Sequence, residues 1–191
     1  AGNAVEIKAV MSTLTGETKS KRLREVTVNL GGNLLAHAGL ASDPDEGAAM
    51  MGNRIDTGAA AEVFAQMIAE MGGPLGFESR WKNCLPEAPV LREVIVEKTG
   101  FISEIDTLAV GELVVSLGGG RLRESDKVNP AVGVSQILPI GTSVDCHTPI
   151  AMIHAQDEAA AERAISIIGA AVRIAENRPK SEPVILETML P

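Results

Sequence analysis

Residues 85–121, LPEAPVLREVIVEKTGFISEIDTLAVGELVVSLGGGR, decide the fold. Leu91 to Glu97 places Val94 and Val96 on one face of a strand, and Lys98-Thr99-Gly100 supplies a turn into a second strand, Phe101 to Ile105. Asp106 is a good N-cap, because its short carboxylate can accept from the free N–H groups of a first helical turn. Leu108, Leu113, Val114 and Leu117 then return at helical spacing until Gly118-Gly119-Gly120 stops the helix. The order is strand, strand, helix.

Downstream, a charged loop, RLRESDKVNP, leads to a strand over Val132 to Leu138, a turn at Pro139-Ile140-Gly141 and a strand over Pro149 to His154. A final helix follows from Glu158 to about Glu176, with Ala161, Ile165, Ile168 and Val172 on its apolar side. The Arg178 to Pro191 tail is too proline-rich to assign. This half reads as a compact α+β unit. Gly100, Gly120 and Gly141 are expected to serve turns, where alanine costs about 1 kcal/mol if φ is positive.

Upstream the pattern is helical. Val5, Met11 and Leu14 share a face in a first run, and from Lys19 to Gly72 the 3.6-residue period dominates. Leu23, Val26, Leu30, Leu34 and His37 or Ala38 follow it, interrupted by Gly31-Gly32, which cost about 2 kcal/mol relative to alanines and so suggest a close helix contact. Asp43-Pro44-Asp45-Glu46 reads as N-cap, N1 proline and acidic first turn of a short helix ending near Asp56. Ala60, Val63, Phe64, Met67, Ile68 and Met71 form one apolar stripe before Gly72-Gly73-Pro74. Gly72 to about Pro89, with Trp81 and the prolines Pro74, Pro86 and Pro89, reads as a linker.

Composition excludes several classes. The chain has 191 residues, 45% of them hydrophobic, which is ample for a core of one large or two small domains. Aromatic residues make up only 2%, with one Trp and no Tyr, so base or sugar stacking has almost no material. A formal charge of −8 repels phosphate backbones, against a nucleic-acid partner. Cys84 and Cys146 make no disulfide framework, and no apolar run approaches the length that spans a bilayer. The expectation is a soluble, cytoplasmic protein. The opening Ala1-Gly2, entering a helix at once, reads as the start of a C-terminal fragment.

Candidate chemistry is sparse. Gly118-Gly119-Gly120-Arg121 could cradle a phosphate, but these glycines follow a helix, where the dipole presents its negative end, so the C-cap reading is preferred. Gly31-Gly32, inside a helix, has no free N–H groups. Cys146, His147, His154 and Asp157 are metal-ligand types in a short span, yet without CxxC or HxxxH spacing; His154 is expected to satisfy backbone groups at a strand-helix junction. His37 lies near a helix C-terminus, which favours a partly charged imidazole. No serine, histidine and acid lie close enough in sequence to suggest a triad. Asp126-Lys127-Val128 matches the string that displays the modified lysine of lipoyl carriers, and Gly141 to Ala155 looks like a barrel-sandwich hairpin. In carriers, however, the glycine-valine hairpin precedes the lysine, whereas here GTSVDCHTPIAMI follows it.

Taken in order, Leu85-Pro86, Gly100-Phe101-Ile102-Ser103-Glu104-Ile105-Asp106, Leu117-Gly118-Gly119-Gly120-Arg121, Asp126, Val132-Gly133, Gly141, Pro149-Ile150-Ala151-Met152-Ile153-His154-Ala155 and Glu158 resemble the C-terminal domain of the pyrimidine nucleoside phosphorylases. Ala1-Gly2-Asn3-Ala4-Val5-Glu6, Thr57-Gly58-Ala59-Ala60 and Phe64 extend the resemblance over nearly the whole chain. It implies a helical segment of the α/β phosphorylase domain over 1–84, truncated at its N-terminal side. Over 85–191 it implies an α+β C-terminal domain with barrel-sandwich-like hairpins.

The implied activity is reversible phosphorolysis of thymidine by phosphate, giving thymine and 2-deoxyribose 1-phosphate, in a homodimer, with no cofactor. The family's phosphate loop and pyrimidine-holding residues map to no position here, so no catalytic, phosphate-binding, substrate-binding or metal residue is assigned. They are expected in an N-terminal half, and the fragment alone is expected to be inactive. The family's helix beginning Gly-Asn-Ala usually carries two acids three apart, the second helping to hold a structural cation in some members. Glu6 matches the first and Ala9 replaces the second, which puts that cation in doubt. The alternative is a stand-alone carrier or binding module without catalysis. The order of hairpin and lysine predicts that Lys127 is never lipoylated or biotinylated; intact-mass analysis of protein purified from its source should show no such increment, and finding one would favour the carrier.

Overall fold

The computed structural model describes residues 1–17 and 21–187. Lys19 and the end of the tail, both touched by the sequence reading, lie outside them. Among the described residues the backbone divides into two compact units, one formed within 8–84 together with 182–187, the other of Leu85–Ser181 with Ala1–Ile7.

The first unit is helical: the later turns of α1 (Asn3–Leu14), then α2 (Lys21–His37), α3 (Pro44–Asp56), α4 (Ala59–Glu70) and α5 (Phe77–Cys84). The start of α3 follows its sequence. Asp43 accepts from the Glu46 N–H at 2.8 Å, Pro44 opens the helix, and Glu46 reaches back to the Ser42 N–H at 2.7 Å. The Gly31-Gly32 pair marks the close crossing that its helical setting suggests. A β-carbon at Gly32 would lie 2.6 Å from the Ala48 nitrogen and the Pro44 carbonyl, and one at Gly47 would lie 2.9 Å from the Gly32 Cα. The two backbones meet with nothing between them.

Around that contact the small residues are buried and the large apolar ones are not. In α2, Leu30 is 61% and Leu34 70% exposed while Gly32 is buried; in α4, Val63 and Met67, with Met71 just after it, are exposed while Ala61 and Ala65 are buried. The small residues face inward because they permit close approach, and the large ones are left on the outside. The expected linker also contains a helix. In α5, Phe77 and Trp81, four apart, are both buried, and the Phe77 ring stands 6.3 Å from that of Phe64.

The second unit is α+β. Its elements are β1 (Val90–Ile95), β2 (Gly100–Ile105), α6 (Thr107–Val114), β3 (Gly133–Ser135), β4 (Ser143–Val144), β5 (Pro149–Ala155), α7 (Glu158–Ala171) and β6 (Val172–Ala175). They form two antiparallel three-stranded sheets, β1-β5-β3 and β4-β2-β6. The strands on either side of Lys98-Thr99 therefore do not form a hairpin, and neither do those flanking Cys146-His147. Among the described residues every strand pairs with one distant in sequence. Gly100 is not a turn residue: it sits in β2, where a β-carbon would run into the Ala175 carbonyl. Gly120 is likewise extended, with φ −136° and ψ −178°.

Asp106 caps α6 by accepting from the Ala109 N–H at 3.0 Å, and Asp157 caps α7 by accepting from the Ala160 N–H at 2.7 Å. Two boundaries differ from the sequence reading. β3 is cut short because Gln136 adopts φ 54°, left-handed backbone that breaks the ladder. The last helix ends at Ala171, and Val172–Ala175 become β6 against β2, with Ile105 opposite Val172 and Ile102 opposite Ile174. β-branched Val172 and Ile174 suit that strand, and Arg173 meets Glu104 at 3.0 Å across it. The core of this unit joins Val94, Ile102, Leu113, Val132, Val134, Ile150, Ile153 and Ile168 to the alanines of α7.

Two glycine substitutions should separate close approach from mere flexibility. Gly47→Ala inserts a methyl group into the α2/α3 crossing and should destabilise the protein by about 1–3 kcal/mol. Gly111→Ala, in α6 with nothing within 4 Å of the added carbon, should be neutral or stabilise by up to about 1 kcal/mol through helix propensity. Urea unfolding of both variants checks this, and equal effects would show that the crossing is not tight.

Candidate functional site

The glycine run after α6 was the strongest anion candidate, and its geometry turns the other way. Val115–Gly119 form a π-helical turn, and Gly118 takes φ 93° to end it. The carbonyls are what the run offers. Gly118 accepts from the Asn129 N–H at 2.8 Å, and Gly119 accepts from the Asn3 side-chain amide at 2.9 Å. Beyond it, Asp126 accepts from the Leu122 and Arg123 N–H groups at 3.1 and 2.9 Å and so fixes the charged loop. A run whose oxygens are the occupied groups, at the negative end of a helix, repels a phosphate.

Lys127 is exposed in the irregular stretch between that turn and β3, and no hairpin tip carries it. Among the metal-ligand types, Cys146 and His147 are exposed in a turn held by Asp145, which accepts from the Thr148 hydroxyl at 2.6 Å and the His147 N–H at 2.9 Å. Asp157 is occupied as the α7 cap. His154, in β5, has Nε2 2.8 Å from the Ser135 hydroxyl on neighbouring β3. The ring thus has a side-chain partner on the neighbouring strand. Among the described residues no three His, Cys, Asp or Glu side chains cluster where they could hold a metal. His37 lies in the last turn of α2. Glu6, in the first turn of α1, accepts from the Gly2 N–H at 3.4 Å.

Each unit has one hollow of note. In the α+β unit, Phe101, Pro139, Gly141, Thr142, Ser143 and Arg178 line a shallow space of about 400 Å³. In the helical unit a cavity of about 800 Å³ is lined by the end of α1 and the starts of α2 and α4. Arg24 projects a guanidinium there that meets Asp56 at 2.8 Å, while its Nη1, buried, has no partner among the described residues. Sequence reasoning did not find Arg24; its spacing from Asp56, 32 residues away, carries no signal.

Residues 101–175 match the family model of the pyrimidine nucleoside phosphorylase C-terminal domain. The matched segment runs from β2 to the last residue of β6 and so includes both caps and the strands of the second sheet. Residues 101–175 are therefore similar to that domain, and their α+β fold agrees with it. Among the described residues no helix is long and apolar enough to cross a membrane.

Hydrogen bonds from the Thr148 hydroxyl first, and then from the His147 backbone, hold the Asp145 carboxyl below its ordinary value of 3.8. Because the folded value is the lower one, the turn's stabilisation is present above the unfolded pKa and is lost as pH falls through the folded one. Thr148→Val should move the Asp145 titration upward toward 3.8, as read from its side-chain carbonyl shift by NMR. An unmoved titration would show that the hydroxyl does not hold the carboxylate.

Proposed function

We propose that this chain is part of a thymidine phosphorylase, which cleaves thymidine with phosphate to thymine and 2-deoxyribose 1-phosphate. The observation that carries the reading is the match of residues 101–175 to the C-terminal domain of the pyrimidine nucleoside phosphorylases. The ordered resemblance of the helical residues, from Gly2-Asn3-Ala4 through Thr57-Gly58-Ala59-Ala60 to Phe64, supports it in the other unit. Phosphate, a pyrimidine nucleoside and a second copy of the enzyme are the partners this implies.

The reaction needs a phosphate held by several donors beside C1 of the sugar, and an environment that stabilises the positive charge growing on the ring as the base departs. Gly118–Gly120 cannot be the phosphate cradle, since its carbonyls face Asn3 and Asn129. The residues doing this work are accordingly assigned to a further part of the enzyme. The exposed Leu30 and Leu34 of α2, Val63 and Met67 of α4 and Met71 at its end support that assignment, because apolar stripes of this kind normally have a covering.

Two assays test the proposal. The purified 191-residue chain with thymidine and phosphate should release no thymine above a mock preparation, the loss being complete instead of graded. The protein encoded by the whole gene should release thymine in a phosphate-dependent manner. Turnover by the chain alone would overturn the placement of the catalytic groups, and a whole protein that cleaves uridine but spares thymidine would overturn the substrate.

A further inference from the structure

We draw no further inference here: the strongest candidate, the cavity of about 800 Å³ where Lys21 and Arg24 stand near the α4 N-terminus, carries nothing, because Arg24 is 36% exposed and already paired with Asp56, while Asp56, Glu62 and Glu78 oppose the two cations, so that no ligand chemistry is selected.

Discussion

β5 is hydrogen-bonded along both edges, to β1 from Val90–Ala155 to Ile95–Pro149 and to β3 from Gly133–His154 to Ser135–Met152. This double pairing fixes which side chains point to the core. Ile150, Ala151, Ile153 and Ala155 are buried, whereas Met152 and His154 are only partly covered. Since side chains alternate along a strand, a slip of one residue would drive His154 into the apolar layer and expel Ile153, each such Ile being worth roughly 1.5–3 kcal/mol when fully buried. The Ser135 to His154 hydrogen bond sits on the opposite face and fits only the observed register. α7 packs against both β5 and β1 and closes the layer.

The material of that layer explains how a domain with few aromatics is stable. α7 turns Ala160, Ala161, Ala164, Ile168 and Ala171 inward, so the helix lies close to the sheet and the Val and Ile side chains of the strands fill the remaining space. The same solution appears in the helical unit, where glycine serves the α2/α3 crossing and Ala61 and Ala65 are the buried residues of α4. Close approach of backbones replaces interdigitation of large side chains. It also makes both units sensitive to added volume, which is the basis for expecting opposite effects at Gly47 and Gly111.

Legibility in the sequence followed the range of the interaction. Asp43, Asp106 and Asp157 act within three residues of themselves, and the helix starts at Pro44 and Thr107 could be placed from residue type alone. The α5 helix was overlooked although Phe77 and Trp81 have helical spacing, because the prolines and glycines around them dominated the reading. β6 was hidden for a deeper reason. Val172 continues the helical period of Ile165 and Ile168 and also suits a strand, and only β2, some 70 residues earlier as in the Ser103 to Arg173 hydrogen bond, decides between them. Strand pairing had no local signal at all, since tight turns suggest hairpins and every pairing among the described residues is non-local. The stripes of α2 and α4 were legible as stripes only, because periodicity reports that a face is apolar, not what lies against it.

The site reading failed to find chemistry for a reason the structure makes physical. A glycine run can bind an anion only when its N–H groups are free and convergent, as at the start of a helix. Here the run comes at the end of α6, its carbonyls are engaged by Asn3 and Asn129, and Asp126 adds a carboxylate to the loop that follows. The helix end and the Asp126 carboxylate both disfavour an anion, and the chain as a whole carries −8. The glycines end a helix and let Val114 and Val115 pack against the turn. The functional proposal accordingly rests on the similarity of residues 101–175 to a domain family and not on a constructed site. The assay of chain against whole protein bears on the distinction: activity that needs the rest of the enzyme would mean the domain supports a site made elsewhere, and activity in the chain alone would require donors that this geometry does not supply.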